Sequence, residues 1–149
     1  MFCFVIGKEF SIMPAFILHP QLENDSLFVT STQNMQIRLV KDSRFFWLLL
    51  IPERNDITEW HELDKSELQA LAFLISAFSK ALKDIEKADK INIGALGNAV
   101  PQFHFHILAR HYNDVAWPGP VWGTSGEGRD DMALFETRIQ KLAPTLQSL

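Results

Sequence analysis

Two histidines separated by a single residue, His104 and His106, carry the strongest chemical signal in this chain. They lie in Asn98-Ala99-Val100-Pro101-Gln102-Phe103-His104-Phe105-His106-Ile107-Leu108-Ala109-Arg110, where polar and apolar residues alternate from Gln102 to Ile107. A period of two marks a half-buried β-strand, with Phe103, Phe105 and Ile107 on one face and Gln102, His104 and His106 on the other. Residues i and i+2 of a strand sit about 6.5–7 Å apart at the backbone, so both rings can converge on one tetrahedral group such as a phosphate. Imidazole exchanges protons near neutral pH without help from its surroundings. One ring can attack phosphorus while the other steadies developing charge or shuttles a proton. Two other readings stand beside this one: core histidines satisfied by backbone carbonyls, and a metal site using both rings. No third His, Cys or carboxylate lies at an obvious ligand spacing nearby, the next acidic residue being Asp114.

The surrounding chain supplies elements that can position these side chains. Leu27-Phe28-Val29-Thr30-Ser31-Thr32 reads as a strand, Gln33-Asn34 as a turn and Met35-Gln36-Ile37-Arg38-Leu39-Val40 as an alternating partner. After the turn Lys41-Asp42-Ser43-Arg44, the apolar run Phe45 to Ile51 predicts a central strand covered on both faces. Before these, Pro20 keeps Phe16 to Leu22 from continuing freely as a helix, and His19 is expected to be structural or at the surface. Asp64-Lys65-Ser66-Glu67 has the form of a helix start, with Asp64 as cap and Glu67 three residues on. Leu68, Leu71, Ile75, Phe78, Leu82 and Ile85 then recur at spacings of three and four, an amphipathic helix running to about residue 87. Lys90 to Asn98 predicts a strand entering a bend with Gly94 and Gly97. Glycine there lets backbone N–H groups approach an anion. Trp117-Pro118-Gly119-Pro120-Val121-Trp122-Gly123 is rigid and aromatic, suited to lining a substrate mouth or reaching a second subunit. A second helix is expected over Asp131–Gln147, with Leu134, Phe135, Arg138, Leu142 and Leu146 along one side.

With 149 residues, 47% of them hydrophobic and 21% charged, the chain suits one globular domain with a genuine core. A net charge of −4 offers no electrostatic footprint for a nucleic-acid polymer, although a few local donors suffice for one phosphate. The single cysteine, Cys3, excludes an internal disulfide and fits a reducing compartment. The apolar opening lacks a basic flank and is interrupted by Lys8-Glu9, and no apolar run of about 18 residues follows. A cytoplasmic location, away from membranes, is the expectation.

Gln102-Phe103-His104-Phe105-His106-Ile107-Leu108 resembles the histidine-triad (HIT) motif His-φ-His-φ-His-φ-φ, with Gln in the first His position. Lys90-Ile91-Asn92-Ile93-Gly94 is similar to the strand before that motif, and Trp47-Leu48-Leu49-Leu50-Ile51-Pro52 to the strand ending in Ile-Pro. Trp117-Pro118-Gly119 resembles the tail of the family's nucleotide-binding branch. The likeness covers roughly residues 27–122; residues 1–13 match nothing expected of the family, so 14–149 is taken as one HIT-like domain and Met13 as a possible start. It implies an α+β fold: an antiparallel sheet of about five strands with one long helix packed on it and a C-terminal helix. Such domains usually form homodimers.

The resemblance also implies a function: a nucleotide hydrolase or nucleotidyltransferase acting through a nucleotidyl-histidine, on adenine or guanine nucleoside phosphates, with no cofactor. By position, His104 is the nucleophile and His106 contacts the non-bridging oxygens, with Gln102 beside them. Asn92, Gly97, Asn98, Ala99, Arg110 and Trp117 are the expected nucleotide or phosphate contacts. Departures from the pattern fall at Leu39, where many members hold the ribose with an acidic residue (Asp42 stands nearby), and at Asn55, where many have His. Gln102 can orient a group but cannot donate a net proton. That leaves two outcomes: a slower enzyme preferring good leaving groups, or a nucleotide-binding module without turnover. On this reading Gln102→His keeps or raises the rate.

Overall fold

The computed structural model describes residues 15–126, 128 and 130–149; the expectations for residues 1–13 lie outside this range. Five strands form one antiparallel sheet: β1 (Ser26–Thr32), β2 (Met35–Val40), β3 (Trp47–Pro52), β4 (Lys90–Gly94) and β5 (Phe105–Arg110), in the order β1-β2-β3-β5-β4. Helix α1 (Pro20–Asp25) precedes the sheet, α2 (Lys65–Glu86) crosses from β3 to β4, and α3 (Met132–Gln147) closes the chain. The α+β architecture expected from the sequence, a five-stranded antiparallel sheet with one long helix and a C-terminal helix, is present.

Local chemistry accounts for the element ends. Gln33 and Asn34 take φ of 50° and 58°, the two left-handed positions that a tight hairpin requires. Asp64 accepts from the Glu67 N–H while the Glu67 side chain accepts from the Asp64 N–H, so α2 starts on a complete capping box. It ends at Lys87, whose φ of 53° is left-handed.

The sheet buries both faces, each against a different partner. On one, Ile37, Leu39, Leu48, Leu50, Phe105 and Ile107 pack on Leu71, Leu74, Phe78 and Leu82 of α2. Each such side chain contributes roughly 1.5–3 kcal/mol on leaving water. On the other, Leu49 and Ile51 meet Leu22 of α1 and Val100, while Leu108 meets Phe45 and Val121. His106 pairs in register with Leu49 and belongs to this second face, which short loops cover. Arg138 of α3 is buried and donates to the carbonyls of Phe45 and Ser43, tying the last helix to the turn before β3.

Two expectations change. Pro20 does not block a helix but opens one: it occupies the first turn of α1, where its missing N–H is no loss, and His19 caps it. The histidine strand begins at Phe105, not Gln102, and all six of its residues are buried. Residues 102–104 run outside the sheet, with the Phe103 N–H donating to Ile57 O. Alternation along the motif therefore reports two covered faces, not one wet and one dry.

Candidate active site

His104 and His106 converge as their spacing requires. Their ring centroids lie 4.7 Å apart at an interplanar angle of 71°. Both line a cavity of about 270 Å³ with Gly97, Asn98, Ala99, Val100, Leu22, Trp47 and Trp122. Each ring is only 7–8% exposed, so its proton inventory is set by fixed partners.

Those partners give the rings opposite tautomers. Nδ1 of His104 lies 2.7 Å from the Gln102 carbonyl oxygen, which can only accept, so the ring carries its proton there. Its Nε2 is left with a lone pair. Nδ1 of His106 accepts from the Trp47 indole N–H at 2.9 Å, so its proton resides on Nε2. One imidazole thus offers an electron pair and the other a donor. Burial pushes the His106 pKa down from 6.5 to about 3, with the neighbouring His104 adding to the effect. Burial also lowers the His104 pKa, partly opposed by its bond to Gln102 and assisted by charge on His19. Both rings are neutral at pH 7.

The tryptophans fix this arrangement. Trp122 stacks edge-on against His106 at 5.4 Å and 78°, and against Trp47 at 6.1 Å and 87°. Gly94 pairs in register with His106, and a Cβ there would lie 3.3 Å from the Trp122 ring, so glycine leaves room for the indole. Gly97 has φ of +72°, a left-handed turn in the loop along the cavity wall.

Other residues predicted for the site lie elsewhere. Arg110 is not a surface charge: it is 1% exposed and makes a forked pair with Asp114 at 2.7 and 3.0 Å. Two further donors go to Asn92 Oδ1 and Gly119 O, which also occupies Asn92. Both sit on the His106 face but farther along the sheet, since Asn92 pairs with Leu108. Trp117 packs on Tyr112 and under Arg110, leaving Trp122 as the tryptophan of that loop which reaches the histidines. Asp42 binds Arg44 at 2.7 Å and faces a separate cavity, while Leu39 is fully buried on the α2 face. The Gln102 side chain turns from the 270 Å³ cavity toward residues 17–19.

Trp47 was not among the expected site residues, although it shares strand parity with Leu49 at the start of β3. Trp122 lies in the aromatic segment expected to line a substrate mouth, and it lines the histidine cavity. Among the described residues, no group of three or more His, Cys, Asp or Glu is placed to hold a metal ion. No helix among them is long and apolar enough to cross a membrane.

Comparison with known proteins yields the HIT domain as the matching family, over residues 21–113. A histidine triad protein of Bradyrhizobium japonicum is 41% identical, with 89% of this chain and 98% of that one covered and a TM-score of 0.85. A histidine triad (HIT) protein from Sinorhizobium meliloti is 38% identical, covering 87% and 96%, with a TM-score of 0.84. A histidine triad protein from Marinobacter aquaeolei is 34% identical, covering 91% and 99%, with a TM-score of 0.86. Among curated proteins, none matches the chain.

Proposed function

This chain belongs to the HIT domain family, and on that premise we propose that it is a nucleotide hydrolase or nucleotidyltransferase working through a covalent intermediate on His104. The observation that carries this reading is the pair of opposed tautomers: a lone pair on His104 Nε2 beside an N–H on His106 Nε2. A neutral imidazole with its far nitrogen anchored to a carbonyl is a competent nucleophile. His104 attacks the α-phosphorus, the bond to the leaving group breaks, and His106 donates to a non-bridging oxygen as charge builds. Backbone N–H groups of residues 97–99 contribute further donors. Water or another acceptor then takes the nucleotidyl group and frees His104. The walls formed by Leu22, Trp47 and Trp122 suit a planar base, and adenine or guanine is the expected one.

Incubation with adenosine dinucleoside polyphosphates and adenosine phosphoramidates tests this. Turnover lost in His104→Ala, with a nucleotidyl adduct on His104 trapped by rapid quench, supports it. A second reading, a nucleotide-binding module without turnover, draws on one observation: both polar atoms of the Gln102 amide are engaged by residues 17 and 19. Nucleotide binding without turnover, unchanged by His104→Ala, would select that reading. A homodimer belongs to the same proposal; β4 is an outer strand with Ile93 exposed, and sedimentation tests it.

A further inference from the structure

The cavity that holds the histidines has two chemically different ends. At one, His104 and His106 offer a lone pair and an N–H. At the other stand Gln21 and Asp25, one turn apart on α1, beside Val40 at the end of β2. Asp25 is the only carboxylate among the described residues that line this cavity. Leu22, Trp47 and Leu49 complete it as apolar wall.

The sheet sets the distance between those ends. β2 and β5 are separated by β3, and two strand spacings amount to about 10 Å. Asp25 lies on the far side of β2: its neighbour Ser26 pairs with Val40, and its carbonyl accepts from the Lys41 N–H. Its carboxylate is also held in place. Gln21 Nε2 donates to Oδ2 at 2.6 Å and Asn24 Nδ2 to Oδ1 at 2.9 Å. A carboxylate has about four acceptor sites, so both oxygens can still accept, and the Gln21 amide keeps a second N–H. The outer end of the cavity therefore presents two acceptors beside one donor.

We propose that Asp25 and Gln21 select guanine, with the 2-amino group and N1–H donating to the Asp25 carboxylate and O6 accepting from the Gln21 N–H. This rests on reading the cavity as a nucleotide site, and it narrows the base from a purine to one purine. The negative charge of Asp25 turns the anionic end of the nucleotide toward the imidazoles, since like charges at close quarters are costly. The sugar is bonded next to the α-phosphate and stays near it, so the edge of the base is what extends past β2. Adenine mismatches that edge: its N1 is an acceptor facing a carboxylate oxygen, and it has no 2-amino group.

Equilibrium titration of guanosine, inosine and adenosine 5′-monophosphates onto the full chain tests this. The unaltered protein should bind the guanine nucleotide at least about tenfold more tightly than the adenine one. Inosine keeps N1–H and O6 but lacks the 2-amino group, and should fall between them. Asp25→Asn exchanges one acceptor for a donor and should bring guanine and adenine within about threefold of each other. Gln21→Met keeps the carboxylate but removes the donor to O6, and should weaken guanine and inosine while sparing adenine. Equal affinity for all three, or a guanine preference that both substitutions leave intact, overturns the assignment while the nucleotide site stands. A loss in Asp25→Asn shared by all three ribonucleotides but absent from their 2′-deoxy counterparts gives the carboxylate to the sugar and also overturns it. Failure of every nucleotide to bind overturns the underlying reading and this one with it. Gln21 and Asp25 are exposed, and thermal melting matched to the unaltered protein shows that folding is not the cause.

Discussion

The Trp47 indole N–H donates to Nδ1 of His106 at 2.9 Å, across a strand pair in which Trp47 stands opposite Leu108. That diagonal bond determines which nitrogen of His106 faces the cavity with a proton. Trp47→Phe removes the donor but keeps an aromatic ring. His106 can then take the other tautomer, and kcat should fall up to about 100-fold with little change in KM, toward the loss of one donor to developing charge. Nitrogen NMR of the imidazoles checks the cause, since the His106 signals must report a tautomer change in the variant.

Acid acts on the nucleophile through its burial. The His104 pKa is lowered, so the ring remains unprotonated at and somewhat below the ordinary value of 6.5. The rate should hold level from neutral pH down through about 6.5 and decline only in more acidic buffer. A decline already under way above pH 7 would contradict this.

The same burial makes stability pH-dependent, and the sign follows from proton counting. Between 6.5 and about 3 the unfolded chain protonates His106 while the folded chain does not. The unfolded state therefore binds more protons there, and stability drops as pH falls through that window, by up to about 1.4 kcal/mol per unit. His106→Gln retains an acceptor for Trp47 but does not titrate. Urea unfolding at pH 7 and pH 5 should show the unaltered protein losing about 2 kcal/mol more than this variant.

Gln102→Ala opens one end of the clasp by which the Asn55 and Gln102 amides hold the backbone of residues 15–19. One partly buried and one exposed hydrogen bond are lost, costing about 1–2 kcal/mol, and amide exchange at residue 19 should accelerate. The clasp also changes the expectation for Gln102→His. An imidazole cannot offer donor and acceptor to the same two peptide groups, so that substitution should lower the rate instead of keeping or raising it. Activity assays of Gln102→His beside Gln102→Ala decide the sign.

Arg110→Met leaves Asp114 buried without its partner and strands Asn92 Oδ1 and Gly119 O. Removing one member of a buried ion pair costs about 3–5 kcal/mol. Nucleotide affinity of the folded fraction should be unchanged, because Arg110 is a structural tie between β5, β4 and the following loop. Chemical denaturation and a binding titration separate the two effects.

Composition and periodicity determined the frame of this protein. The capping box at Asp64, the three-four spacing from Leu68 to Ile85 and the apolar run of β3 each satisfy a local rule, and the elements appear there. His104 and His106 were legible as a pair because spacing along an extended chain fixes how far apart two side chains start. Tertiary structure decided what those rings can do: a tautomer depends on the atom facing it, and Trp47 lies 59 positions from His106 in the chain. It also decided that Arg110 turns to Asp114, that Trp122 and not Trp117 reaches the site, and that Gln102 reaches across 83 positions to His19. Buried charges and amides satisfy themselves with whichever partner the fold brings near, and no local pattern in the chain encodes that partner.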